Sequence, residues 1–211
     1  MTQTDAVVKI PVRPELLEQV LAPYKRNCRY LKQAVVEHPE RPGEAANASD
    51  HPGLIWAHGE FAIARSWYID DTGHFNSIEF NLCYNQLVYV LLAQAVVSGL
   101  VPAMSWMTLE EYRRRQLPDV LIVKLSSAFR KAMLSDHFRG RVVLEKASDR
   151  GKLLLLKTRC EFAGEDGGFS EGEVTLAFNN WDVRGGPPAE PAPPASPASP
   201  ASPASNGGSG S

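Results

Sequence analysis

From Gly185 onward the chain has no large apolar residue: GGPPAEPAPPASPASPASPASNGGSGS is Pro, Ala, Ser and Gly with a single Glu and a single Asn. Such a stretch cannot bury enough surface to offset its ordering entropy, so residues 185–211 read as a disordered tail closing in a GGSGS linker. Cysteine is scarce. Cys28, Cys83 and Cys160 are widely separated, which excludes a disulfide scaffold and any paired metal-ligand spacing. No metal site is expected. Strong charge of either sign is missing too: the net charge is −2, against the basic balance of a general nucleic-acid binder. The start lacks the apolar stretch of a secretory signal, which together with free thiols points to the cytoplasm. The longest apolar run, Leu87 to Val97, is interrupted by Gln94 and is too short for a membrane span. GxGxxG and P-loop motifs are both absent.

What remains divides into an N-terminal segment, residues 1–12, and one domain, residues 13–184. RPELLEQVLA (13–22) has helical spacing and Pro14 at the first helical position. Strands are expected over 24–37 and 54–69, the second ending at Tyr68, with Gly59 marking a bulge or a close backbone approach. A long helix follows from about Ser77 to Ser98. A short helix over 109–116 carries a capping box of Thr108 and Glu111. Four strands, 120–131, 140–148, 151–164 and 168–181, close the domain, separated by Gly- and Asp-rich turns. This order predicts an α+β fold with an antiparallel sheet lying against a helix.

The long helix is apolar almost all round, so it must be buried, and its N-terminus with it. Buried N–H groups and the positive dipole end suit a carbonyl oxygen that gains negative charge. Polar residues interrupt the pattern. Asn76 and Glu79 fit an N-cap and capping box, which alone explains them, or they belong to a site. His74 is either a turn residue or functional. Tyr68 is either a core tyrosine or part of the site. Asn85 sits mid-helix, where a buried amide needs a strand or a ligand to satisfy it. Cys83 reads as core rather than nucleophile.

CRYL (28–31), SWYI (66–69), GHFNSIEFNLCYNQL (73–87) and SSAFRK (126–131) resemble the FcoT-like family of hotdog-fold thioesterases, across roughly residues 15–180. The resemblance implies a hotdog fold, an antiparallel sheet wrapped around a long central helix. It also implies a homodimer or higher oligomer with active sites near the subunit interface. Family site positions fall on Tyr68, Asn76 and Asn85, with Tyr30 matching the tyrosine of CRYL. Glu79 stands nearest to the acidic residue many hotdog thioesterases use. Two activities occur among relatives: hydrolysis of long-chain acyl-CoA or acyl carrier protein thioesters, and addition of glycine across the double bond of a 2-enoyl thioester on an acyl carrier protein. The second belongs to isonitrile lipopeptide and β-amino acid biosynthesis, and some relatives then hydrolyse the thioester.

Both reactions need a polarised thioester carbonyl, and glycine addition also needs a base and a carboxylate partner. The candidate catalytic residues are Tyr68, His74, Asn76, Glu79 and Asn85, with His74 or Glu79 as base. Candidates for substrate binding are Tyr30, Arg65, Gly73, Phe75, Lys124, Ser126, Arg130 and Lys131, with Arg65, Lys124 or Arg130 facing the glycine carboxylate. Trp56, Phe61, Trp106 and Phe129 are wall residues for the acyl tail or ordinary core. The groups Arg113-Arg114-Arg115, Arg130-Lys131 and Arg139-Arg141 form either a solvated face or a docking surface for an anionic carrier. No cofactor is expected; phosphopantetheine or CoA would enter as part of the substrate. A non-catalytic acyl-binding protein on the same fold is the alternative from another class.

Overall fold

A computed structural model describes residues 6–40, 53–69 and 73–179. The Pro/Ala/Ser tail, the end of the domain from residue 180 and most of the 38–53 loop lie outside the described residues. Seven strands form one antiparallel sheet. They are β1 (Val7–Pro11), β2 (Leu31–Pro39), β3 (Ile55–Phe61), β4 (Val120–Lys131), β5 (Phe138–Asp149), β6 (Leu153–Gly164) and β7 (Phe169–Asn179), in spatial order β1-β2-β3-β5-β6-β7-β4. Among the described residues three α-helices accompany them: α1 (Pro14–Leu21), α2 (Ser77–Ser98) and α3 (Leu109–Arg115). This is the hotdog arrangement, with α2 as the core element.

Helix α2 is long and apolar enough to cross a membrane by length and composition, but most of it is buried inside the sheet. Its limits are set locally. Asn76 caps the start, accepting from the Ile78 and Glu79 amides, while Glu79 reaches back to the Asn76 amide. Gly99 ends the helix at φ 63, and the Leu100 amide returns to the Ala95 carbonyl, a Schellman closure that favours glycine. Buried residues alternate along β6 and β7. Phe61, Phe75, Phe80, Phe138 and Phe162 form one aromatic cluster beneath the α2 N-terminus. Gly59 is required by close approach: a Cβ there would lie 2.7 Å from Leu31 Cδ1 and 3.0 Å from Leu87 Cδ1.

Four expectations change. Residues 7–11, set apart from the domain by sequence, pair with β2 as an edge strand. The strand expected over 24–37 begins only at Leu31, because a 3-10 turn at Arg26–Cys28 is tied to α2. Gln86 makes that tie: its Oε1 accepts from the Tyr30 and Leu31 amides at 3.0 Å and its Nε2 donates to the Cys28 carbonyl at 2.6 Å. Gln86→Ala leaves three buried backbone groups unpaired, so urea unfolding is expected to show a loss of about 2–4 kcal/mol. The strand expected over 54–69 ends at Phe61, where both neighbours run out of partners at Leu31 and Phe138. Tyr68 therefore sits in a loop. Finally, Thr108 caps α3, but Glu111 turns to Arg114 and Arg115.

Candidate active site at the N-terminus of the central helix

The loop after β3 folds across the start of α2 and is held there by side chains. Ser66 Oγ donates to Glu79 Oε1, and Asn76 Nδ2 donates to the Tyr68 hydroxyl oxygen. These contacts explain why the chain leaves the sheet early: the loop is pinned to the helix cap instead of the ladder. Gly73 precedes the cap at φ 67, a conformation that strains any L side chain, with no neighbour within 4 Å of a would-be Cβ.

The cap fixes the chemistry of Asn76. Its Oδ1 is committed to the Ile78 and Glu79 amides, so its Nδ2 must face outward, to Tyr68. Tyr68 accepts that bond, which leaves its own O–H free to donate to a ligand. The result is a phenol donor, an amide donor and a helix N-terminus at one point, the arrangement that stabilises a developing oxyanion.

Glu79 is fully buried, and its two oxygens are occupied by Ser66 and the Asn76 amide. It therefore organises the cap. Tyr30 is buried close by and its hydroxyl has no well-formed hydrogen bond to the described residues. Burial, with Cys28 and the Glu79 charge beside it, pushes the Tyr30 phenol up to about 12 although the Trp67 backbone opposes this. Cys83 is also buried, and burial next to Glu79 pushes its thiol well up, so it is core and no nucleophile.

Two hollows flank the Tyr68–Asn76 pair. One, of about 560 Å³, is lined by Asn27, Arg65, Ser66, Trp67 and Tyr68. The other, of about 340 Å³, is lined by His74, Phe75, Asn76, Phe129, Lys131 and Ser170 among others. Tyr68, His74, Asn76 and Glu79 thus come together, and Tyr30, Arg65, Gly73, Phe75 and Lys131 surround them. Phe75 also packs in the aromatic core.

Other candidates lie elsewhere. Asn85 is nine residues along α2 from Asn76, about 13 Å at the helical rise, so one carbonyl cannot meet both within a single chain. Its Oδ1 is shielded from solvent and no described residue satisfies it, neither strand nor side chain. Lys124 and Ser126 point from the far face of β4, opposite Thr175 and Glu173, and are remote from the hollows. Arg130 pairs with Glu171 at 2.8 Å. Trp56 lies on the outer sheet face, donating to Glu37, and Trp106 packs on Phe178 at the other end of the domain. Of the wall candidates, Phe129 alone lines the hollow that holds Asn76; Phe61 faces a separate one beside Glu60 and Arg139.

The basic groups do not form one surface. Arg115 is buried, lies over the rings of Trp106 and Phe178, and bonds Asp119 at 2.7 Å. It is a structural residue at the far end of α2, whereas Arg130 and Lys131 lie at the site end and Arg139 and Arg141 on the outer face. Two residues not singled out from sequence matter at the site: Ser66, inside SWYI, and Ser170, a small polar residue at an inward position of β7.

The profile of the FcoT-like thioesterase domain matches residues 19–178. A (2E)-enoyl-[ACP] glycyltransferase of Streptomyces coeruleorubidus is 42% identical over 170 residues, covering 78% of this chain and 96% of that protein. Proteins of the same description from Mycobacterium tuberculosis and Mycobacterium marinum are 35% and 36% identical, covering 81% and 80% of this chain and 89% and 88% of theirs. Among solved structures, a DHNA-CoA thioesterase from Staphylococcus aureus aligns at a TM-score of 0.40 with 14% identity, over 59% of this chain and 75% of that one. By the span of the profile match and by these identities, the chain belongs to the FcoT-like thioesterase domain family.

Proposed function

We propose that this enzyme adds glycine to the β-carbon of a 2-enoyl thioester carried by an acyl carrier protein. The observation that carries the reading is the outward Tyr68 O–H, set by Asn76, at the N-terminal end of α2, where Ser77 and Ile78 are exposed rather than buried as the sequence suggested. The names of the relatives support the substrate class. In the proposed reaction the glycine nitrogen, as free amine, attacks C3 of the enoyl chain. The C–N bond forms, the C2=C3 pair moves toward the carbonyl, and the enolate oxygen is held by Tyr68, Asn76 and the helix dipole. A proton returns to C2 while the new ammonium gives one up, so the net change is addition of N–H across the double bond. His74, on the rim of the hollow containing Asn76, is the proposed proton carrier. Glu79 holds the cap and loop in place.

The reaction needs no cofactor in this scheme; phosphopantetheine arrives with the substrate. The three free thiols suit a reducing compartment, which we take to be the cytoplasm.

The working unit is proposed to be a dimer. Strand β4 is a twelve-residue edge with one side unpaired. It exposes Leu121, Ile122, Val123, Leu125 and Phe129, with Val123 58% accessible. A long apolar edge of this kind invites pairing. Isologous pairing of β4 with its copy would bring two α2 helices antiparallel. The stripe of exposed Ile78 and Asn81 and half-buried Leu82 and Asn85 would then meet its symmetry mate, and Asn85 of one copy could reach the site of the other. The assay is direct: enoyl absorbance of a 2-enoyl carrier-protein thioester should decay only when glycine is present. Decay without glycine, with release of free acid, would make hydrolysis the activity instead.

A further inference from the structure

We infer that the hollow between His74, Phe129, Lys131 and Ser170 is the seat of the amino-acid co-substrate, with Lys131 Nζ and Ser170 Oγ holding its carboxylate. This rests on the glycine-addition reading and assigns the part of the site that reading leaves open.

Four observations carry it. First, Ser170 is 1% exposed, its hydroxyl has no hydrogen-bond partner among the described residues, and it lines this hollow. A buried hydroxyl without a partner in a native fold calls for a ligand or an ordered water. Second, the β4–β7 register shifts between Phe129 and Lys131, so Arg130 is bulged. A bulge re-aims the side chains around it. Here Lys131 reaches the hollow, while Arg130 turns to Glu171. Third, Lys131 Nζ donates once, to the Asp166 carbonyl at 3.0 Å. An ammonium has three donors, so two remain for an anion. Fourth, no acidic residue among the described residues lines this hollow, and the Asp166 carboxylate near Lys131 already accepts from the Leu134 and Gly168 amides. The hollow beside Arg139, by contrast, contains Glu60 and Glu165.

The geometry also orders the two substrates. Asn76 lines this hollow and Tyr68 the other, so the thioester oxygen sits between them. An amine anchored by its carboxylate at Lys131 approaches the enoyl chain from the Phe129 side. Arg65 lies across Tyr68 in the wider hollow, none of whose lining side chains is a buried orphan.

The test is steady-state addition kinetics with a 2-enoyl carrier-protein thioester, varying glycine, for the full-length parent, Lys131→Met, Lys131→Arg, Ser170→Ala and Arg65→Met. Loss of a charge-assisted contact should raise the glycine KM about 10- to 100-fold in Lys131→Met, with the thioester KM moved less than about threefold. Lys131→Arg should recover most of this, and Ser170→Ala should raise the glycine KM about 2- to 10-fold. Methylamine, which lacks the carboxylate, should be a far poorer substrate than glycine for the parent and nearly equal to it for Lys131→Met. An unchanged glycine KM and an unchanged glycine preference in Lys131→Met overturn the assignment. So does a larger rise in Arg65→Met than in Lys131→Met. If the parent forms no adduct at all, the glycine-addition reading itself fails, and this assignment with it.

Discussion

Asn76→Asp is expected to lower kcat for glycine addition about 10²- to 10³-fold, with a melting temperature within about 3 °C of the parent. The two effects separate because Asn76 does two jobs with two atoms. Oδ1 accepts from the Ile78 and Glu79 amides, and an aspartate oxygen caps a helix equally well. Nδ2 donates to the Tyr68 hydroxyl oxygen, and aspartate has no such donor. In the variant Tyr68 would donate its O–H back to the carboxylate, and a negative charge would stand where the enolate must form. Asn76→Ala is the companion. It should lose activity to a similar degree but also lose about 1 kcal/mol from the missing cap, read by urea unfolding. If both variants lose activity only in proportion to lost stability, Asn76 is a cap and nothing more.

Ile122→Lys/Leu125→Lys is expected to give a folded monomer with addition activity reduced at least about 100-fold. Both side chains lie on an edge strand and stay accessible in the single chain, so the substitutions leave the core intact. Two lysines on a sheet edge block strand pairing by charge and desolvation. Activity falls because Asn85 stands about 13 Å along α2 from Asn76 and cannot join the same site within one chain. Light scattering reports the oligomeric state and circular dichroism the fold. A monomer that keeps full activity would show that each chain holds a complete site, and the orphan Asn85 amide would need another explanation.

Much of this was legible in the residues. The limits of α2 follow from Asn76, Glu79 and Gly99, whose roles are local and carry a sequence signature. The strands β4 to β7 follow from turn residues such as Gly151 and Gly167, both at positive φ. Other features depend on long-range contacts that no local pattern records. The 62–69 segment continues the β-like composition of β3 but is pinned to the helix cap by Ser66 and Tyr68, and that tie is invisible before folding. Arg115 sits in an Arg-Arg-Arg run that reads as solvated surface. It is buried because Asp119 follows at i+4 and because Trp106 and Phe178 close over it. Gln86 looks misplaced in an apolar helix and proves to serve the backbone of the Cys28–Leu31 turn. Asn85 looks equally misplaced and finds no partner, which separates a structural polar residue from one awaiting a ligand or a second copy. Ser170 could have been found from the β7 alternation, where Ser170, Gly172, Val174, Leu176 and Phe178 share the inward face and only the first carries a polar group.

The most direct test of the central claim is intact-protein mass spectrometry of a 2-enoyl acyl carrier protein after incubation with the enzyme and isotopically labelled glycine. The account predicts a carrier that keeps its acyl chain and gains the mass of one labelled glycine, with no gain in Tyr68→Phe on the same timescale. A carrier stripped to free phosphopantetheine, with unlabelled enoic acid released and no adduct at any time, would contradict it.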